Sequence, residues 1–81
     1  MTTIVGVRLD NRLETAVEFQ RTLTKFGCII KTRLGLHEVS EEKCAHNGIV
    51  LLEVIDDKES KFLEEALSDI EGIELRLMKF E

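Results

Sequence analysis

A pattern that occurs twice constrains this chain more than any other feature. Ile4-Val5-Gly6-Val7-Arg8-Leu9 is matched 45 residues later by Ile49-Val50-Leu51-Leu52-Glu53-Val54, and Gly27 and Gly72 share that displacement. Each strand-like run leads into a stretch with apolar residues at helical spacing, and each glycine closes that stretch. Two strand–helix–strand halves predict an α+β chain of order βαββαβ. The expected architecture is the ferredoxin-like sandwich, an antiparallel four-stranded sheet with two helices on one face. That plan serves many unrelated functions, so function has to be argued from particular residues.

Along the first half, Val5, Val7 and Leu9 alternate with Ile4, Gly6 and Arg8. Asn11 followed by Glu14 reads as a capping box. Leu13, Ala16, Val17, Phe19, Leu23 and Phe26 then trace the inner arc of a helix that Gly27 ends in a left-handed conformation. A second strand over residues 28–37 places Cys28, Ile30, Leu34 and Leu36 on the inner side, opposite Ile29, Lys31, Arg33, Gly35 and His37. Residues 38–48 are polar and close on Asn47-Gly48, a turn signal that predicts a long hairpin loop. After the third strand, Asp56 and Glu59 cap a helix with Phe62, Leu63, Ala66, Leu67 and Ile70 inward. Gly72 ends it, and Ile73 to Leu77 alternate as the last strand. No proline or linker interrupts residues 1–81, which predicts one domain.

The third strand is apolar at nearly every position, whereas a half-covered antiparallel strand shows polar residues on its wet face. Val50, Leu52 and Val54 can face the helices. Ile49 and Leu51 then face outward with Ile4, Ile29 and Met78, and a second copy of the chain is the expected cover. Phe19 and Phe26 of the first helix are the other expected interface residues. Gly6 and Gly35 on the open face would permit close approach.

The 81 residues hold 16 acids and 11 bases, a net charge of −5. Residues 56–71 contain seven acids and two bases, so the remainder is balanced. Nucleic-acid binding needs a surplus of Lys and Arg facing phosphates, and none is visible; no nucleic-acid partner is expected. No apolar run approaches the roughly 20 residues that cross a bilayer, so no membrane partner is expected either. Met1-Thr2-Thr3 runs straight into a strand, and Cys28 and Cys44 are too few for a disulfide scaffold. Together these point to a reduced, cytoplasmic protein with Cys28 buried and inert.

Two constellations are candidate sites. His37, Cys44 and His46 combine imidazole and thiolate donors suited to zinc, nickel or copper, though three donors leave a tetrahedral site one short. Arg8, Arg33 and Arg76, with Lys31, can share the outward sheet face with Glu53 and Glu74, either gripping an anionic effector or forming an ion-pair lattice. No catalytic triad, nucleophile elbow or phosphate loop is present in the sequence, which points away from an enzyme. The competing classes are a metal-sensing oligomer and a small dimeric enzyme with a cavity between subunits. The sequence names no cofactor.

The strand, the helix closed by Gly27, the Cys28-Ile29-Ile30 segment and the apolar third strand resemble an ACT-type regulatory domain. The 81-residue length, with Lys31-Thr32-Arg33-Leu34-Gly35, a polar loop and Gly48-Ile49-Val50-Leu51-Leu52, is similar to the iron-only hydrogenase system regulators. These are small ACT-like proteins whose fold is similar to the metal-sensing domain of nickel-responsive repressors. The resemblance implies a non-enzymatic regulatory or ligand-sensing domain that works as a homo-oligomer, a dimer or tetramer, with a small-molecule or metal effector. It also implies a role in an iron-only hydrogenase system. With no helix-turn-helix in the chain, a transcriptional role would require a partner protein. Two departures stand out. Leu9-Asp10-Asn11-Arg12-Leu13 lacks the Pro-Gly pair that amino-acid-binding ACT domains carry at this turn. The spacing of His37, Cys44 and His46 also differs from that of the nickel repressors.

Overall fold

A computed structural model describes residues 2–37, 48–55 and 57–81, with the backbone alone at residues 36, 37 and 57. In chain order the elements are β1 (Thr2–Leu9), α1 (Leu13–Lys25), a 3₁₀ turn (Gly27–Ile29), β2 (Ile30–His37), β3 (Gly48–Val54), α2 (Asp57–Ser68) and β4 (Ile73–Phe80). The four strands form one antiparallel sheet in the order β2-β3-β1-β4. This is the expected ferredoxin-like α+β fold.

The alternation in β1 decides which way the sheet faces. Thr3, Val5, Val7 and Leu9 are buried, and Val5 and Val7 have no exposed surface. Their partners Leu52 and Val54 on β3 are equally buried, and together they meet Phe19 and Leu23 of α1 and Leu63 and Leu67 of α2. Burying a side chain of this size contributes roughly 1.5–3 kcal/mol before conformational entropy is subtracted. The core is this single layer between the sheet and two helices.

Both helices bury a narrower stripe than their apolar spacing predicts. On α1 the buried positions are Thr15, Phe19 and Leu23, four residues apart, while Leu13 and Val17 lie on the surface. On α2, Phe62 is exposed rather than inward. The N-terminus of α1 also differs from expectation. Arg12 is its N-cap and makes no side-chain cap bond. Asp10 does the local work instead, its carboxylate accepting the Arg12 backbone N–H at 3.0 Å and the Arg12 Nε at 2.9 Å.

The two repeated glycines do different jobs. Among the described residues only Gly72 has a positive φ, +95°. Its carbonyl accepts the Asp10 N–H at 3.0 Å, tying the α2–β4 turn to the β1–α1 turn. A Cβ at Gly72 would collide with the Asp10 carboxylate and lie 2.7 Å from Thr15 Oγ1. Gly27, by contrast, opens the 3₁₀ turn, and a Cβ there would meet nothing within 4 Å. The expectation of a left-handed Gly27 is therefore corrected. The chain leaves α1 through a tighter helical turn, with Ile29 N–H donating to the Phe26 carbonyl at 3.1 Å.

That turn also moves Cys28 and Ile29. Cys28 is exposed rather than buried, and Ile29, only 9% exposed, packs into the core. Urea unfolding should separate the glycines. Gly72→Ala is expected to lose about 1–3 kcal/mol through a strained φ and the collision with Asp10. Gly27→Ala should be neutral or gain up to about 1 kcal/mol. Equal effects would contradict this assignment.

Candidate effector site on the open sheet face

The sheet face away from the helices is set by the register around β1. Ile4, Gly6 and Arg8 stand opposite Glu53, Leu51 and Ile49 on β3, and opposite Met78, Arg76 and Glu74 on β4. All nine lie on the uncovered side, because their neighbours in each strand are the ones turned toward the helices. Ile49, Met78 and Phe80 are substantially exposed there.

A β-bulge changes what β2 adds to this face. Ile30 stands opposite Val54, yet Thr32 stands opposite Glu53, so Lys31 is an extra residue on the β2 side. From that point the parity is inverted. Lys31 and Thr32 both reach Glu53 across the open face, at 3.9 and 3.1 Å. Leu34, expected inward, stands opposite Leu51 and is 52% exposed. Arg33 and Gly35, expected outward, stand opposite Leu52 and Val50 on the helix side. The Arg33 guanidinium lies 5.9 Å from the centre of the Phe19 ring, within cation–π range. Arg33 is therefore removed from the proposed arginine cluster, and Gly35 from the open face.

Arg8 and Arg76 do come together. They flank Gly6 and, with Val7, Ile49 and Glu74, line an open depression of about 190 Å³ with mostly apolar walls. The Arg76 guanidinium donates to Glu74 at 3.0 Å and to the Leu75 carbonyl at 2.7 Å. Arg8 is exposed and has no ion-pair partner among the described residues. The open face thus carries both a partial ion-pair lattice, Lys31–Glu53 and Arg76–Glu74, and one guanidinium left over.

Of the expected interface residues, Ile4, Ile49 and Leu51 lie on the open face. Phe19 is corrected: it is 1% exposed and fills the chain's own core, as does Ile29. Phe26 is half-buried against that core. Cys44 and His46 lie outside the described residues. His37 is described only by its backbone, at the end of β2 opposite Gly48.

The sequence reading missed a polar clasp at the β1–α1 turn, where the Pro-Gly pair of amino-acid-binding ACT domains is absent. Arg12 donates to the Glu71 carbonyl at 3.2 Å and pairs with Asp10, and the Thr15 hydroxyl lies 3.3 Å from the same carbonyl. The Asp10 carboxyl is held below its ordinary range, first by the Thr15 hydroxyl, then by the Arg12 backbone N–H and guanidinium. The single hydroxyl proton serves one acceptor at a time, and the charged one is the stronger. The available sequence signal was Asp10-Asn11-Arg12 placed before a helix with no better cap.

No known protein family matches the chain, and no curated protein matches it. Among solved structures, it is similar to an uncharacterized protein from Thermotoga maritima. The two share 22% identity and a TM-score of 0.81, over 99% of this chain and 96% of that one. It is also similar to part of a formyltetrahydrofolate deformylase from Pseudomonas putida KT2440, at 15% identity and a TM-score of 0.59, over 99% of this chain and 29% of the other. These likenesses show the ferredoxin-like fold. No helix among the described residues is long and apolar enough to cross a membrane.

The clasp predicts a pH dependence. Because the folded-state pKa of Asp10 is depressed, its stabilising effect is complete above the ordinary carboxylate range near pH ~4 and is lost as pH falls through the folded value. Unfolding midpoints measured from neutral pH downward should fall less steeply for Asp10→Asn than for the parent in that acid window. Parallel curves would remove Asp10 from the account.

Proposed function

We propose that this chain is a non-enzymatic, ligand-responsive regulatory module that acts as a homo-oligomer through its open sheet face. The observation that carries the proposal is the apolar surface of that face. Ile4, Leu34, Ile49, Leu51, Met78 and Phe80 lie on it, and no helix among the described residues covers it. A contiguous apolar patch rimmed by charge marks an association surface. The ion pairs on that face reach solvent, Glu53 the least, and each is worth about 0–1 kcal/mol, so they can rearrange when an effector arrives. An effector held between subunits would shift the assembly by binding one state more tightly than another.

The ACT-like fold is consistent with this reading and does not supply the target. The finer assignment comes from the resemblance in the sequence: control of an iron-only hydrogenase system, exerted through a partner protein. A net charge of −5 favours a protein partner over nucleic acid.

Native mass spectrometry of protein purified under reducing conditions without chelator tests the proposal. The expected result is a dimer or tetramer that retains a small mass. Leu34→Glu should leave the circular dichroism unchanged, since residue 34 is exposed, and should weaken association by tenfold or more, the effect of about 1.4 kcal/mol. A bare monomer at micromolar concentration would overturn it.

A further inference from the structure

Gly6 is a glycine that the fold itself does not need. It sits in the middle of β1, paired on both sides, and has no positive φ. A Cβ there would make only ordinary contacts, 3.6 Å to the Arg76 carbonyl oxygen and 3.8 Å to Leu51 Cδ2. Glycine weakens a strand interior, and one without a conformational or steric reason marks a place where something else approaches the backbone. Gly6 lies at the bottom of the depression of about 190 Å³, where it contributes no side chain. At ~30 Å³ per water-sized group, that is room for about six heavy atoms, enough for a short hydrocarbon whose polar end reaches the open rim.

The walls define what fits. Floor and side are apolar, from Gly6 and Ile49, and the rim holds Arg8, Arg76 and Glu74. Arg76 is engaged by Glu74, so two cations and one anion leave a single positive charge, on Arg8. The backbone of β1 is committed to the ladders with β3 and β4, so the floor offers no free amide for a phosphate. We infer that the depression over Gly6 binds a short aliphatic monocarboxylate, its hydrocarbon body over Gly6 against Ile49 and its carboxylate on the Arg8 guanidinium. This inference rests on the ligand-sensing reading above and names the class of effector. A second copy on the open face would close the depression from above.

Isovalerate is a suitable probe, with 3-methylbutanol as its neutral counterpart and acetate as its truncated one. Amide and guanidinium resonances of the full chain are followed during titration, alongside sedimentation of the same samples. Isovalerate should produce saturable shifts at Gly6, Ile49 and Arg8 Nε, and the alcohol and acetate should bind about tenfold or more weakly. Arg8→Gln should lose about tenfold in affinity. Gly6→Val should abolish binding without lowering the unfolding midpoint, because a β-branched side chain suits a strand. Gly6→Ala, which adds only the Cβ, provides a folded control of intermediate effect.

The absence of saturable shifts in the parent protein, or undiminished binding by Gly6→Val, overturns the inference. A monomer that still binds isovalerate supports this site and defeats the oligomeric reading. An assembly that never binds isovalerate but dissociates on Gly6→Val defeats this site, leaves the oligomeric reading standing, and makes the depression a seat for a partner side chain.

Discussion

The structure depends on the position of β1 at the centre of the sheet. Its backbone is hydrogen-bonded on one edge to β3 and on the other to β4, in continuous register from Thr3 to Leu9. A strand held on both edges cannot slip by one residue without turning its whole side-chain set over. Val5, Val7 and Leu9 therefore commit one face to the helices, and Ile4, Gly6 and Arg8 commit the other to the outside. The alternation in β3 follows from that pairing, as does the placement of Arg76 and Glu74 on β4. The candidate site is a consequence of how the core is built.

The bulge at Lys31 shows how a single inserted residue redistributes chemistry between the two sides of a sheet. Without it, Arg33 would stand with Arg8 and Arg76, and Leu34 would enter the core. With it, Arg33 is stacked toward Phe19 and Leu34 faces outward beside Leu51. The open face thereby becomes more apolar and less basic than strict alternation implies. Both changes favour association over the gripping of a highly charged anion, and they leave Arg8 as the one guanidinium there with no ion-pair partner among the described residues.

The internal repeat is a repeat of topology more than of contacts. Gly27 and Gly72 occupy equivalent places, yet only Gly72 adopts a left-handed conformation. The difference lies in the surroundings. Gly72 is pressed against Asp10 and Thr15 by the hydrogen bond from Asp10 N–H to its carbonyl, while Gly27 opens a turn with free space around it. The Asp10–Arg12–Thr15–Glu71 clasp joins the start of the first half to the end of the second.

By itself the sequence determined the order of the elements, the antiparallel sheet, the two-faced alternation of β1, and the apolar character of the open face. Those properties are encoded locally, in the period-two and period-3.6 placement of residues such as Val5, Val7, Phe19 and Leu63. Only the tertiary structure decided that Lys31 bulges, that Arg33 leaves the arginine cluster, that Phe19 and Ile29 are core rather than interface, and that Gly6 opens a depression between Arg8 and Arg76. Each of these depends on what stands opposite a residue on another strand or helix. A bulge inserts one residue in β2 without altering its composition, so the parity change leaves no local signal until the partner strand sets the register.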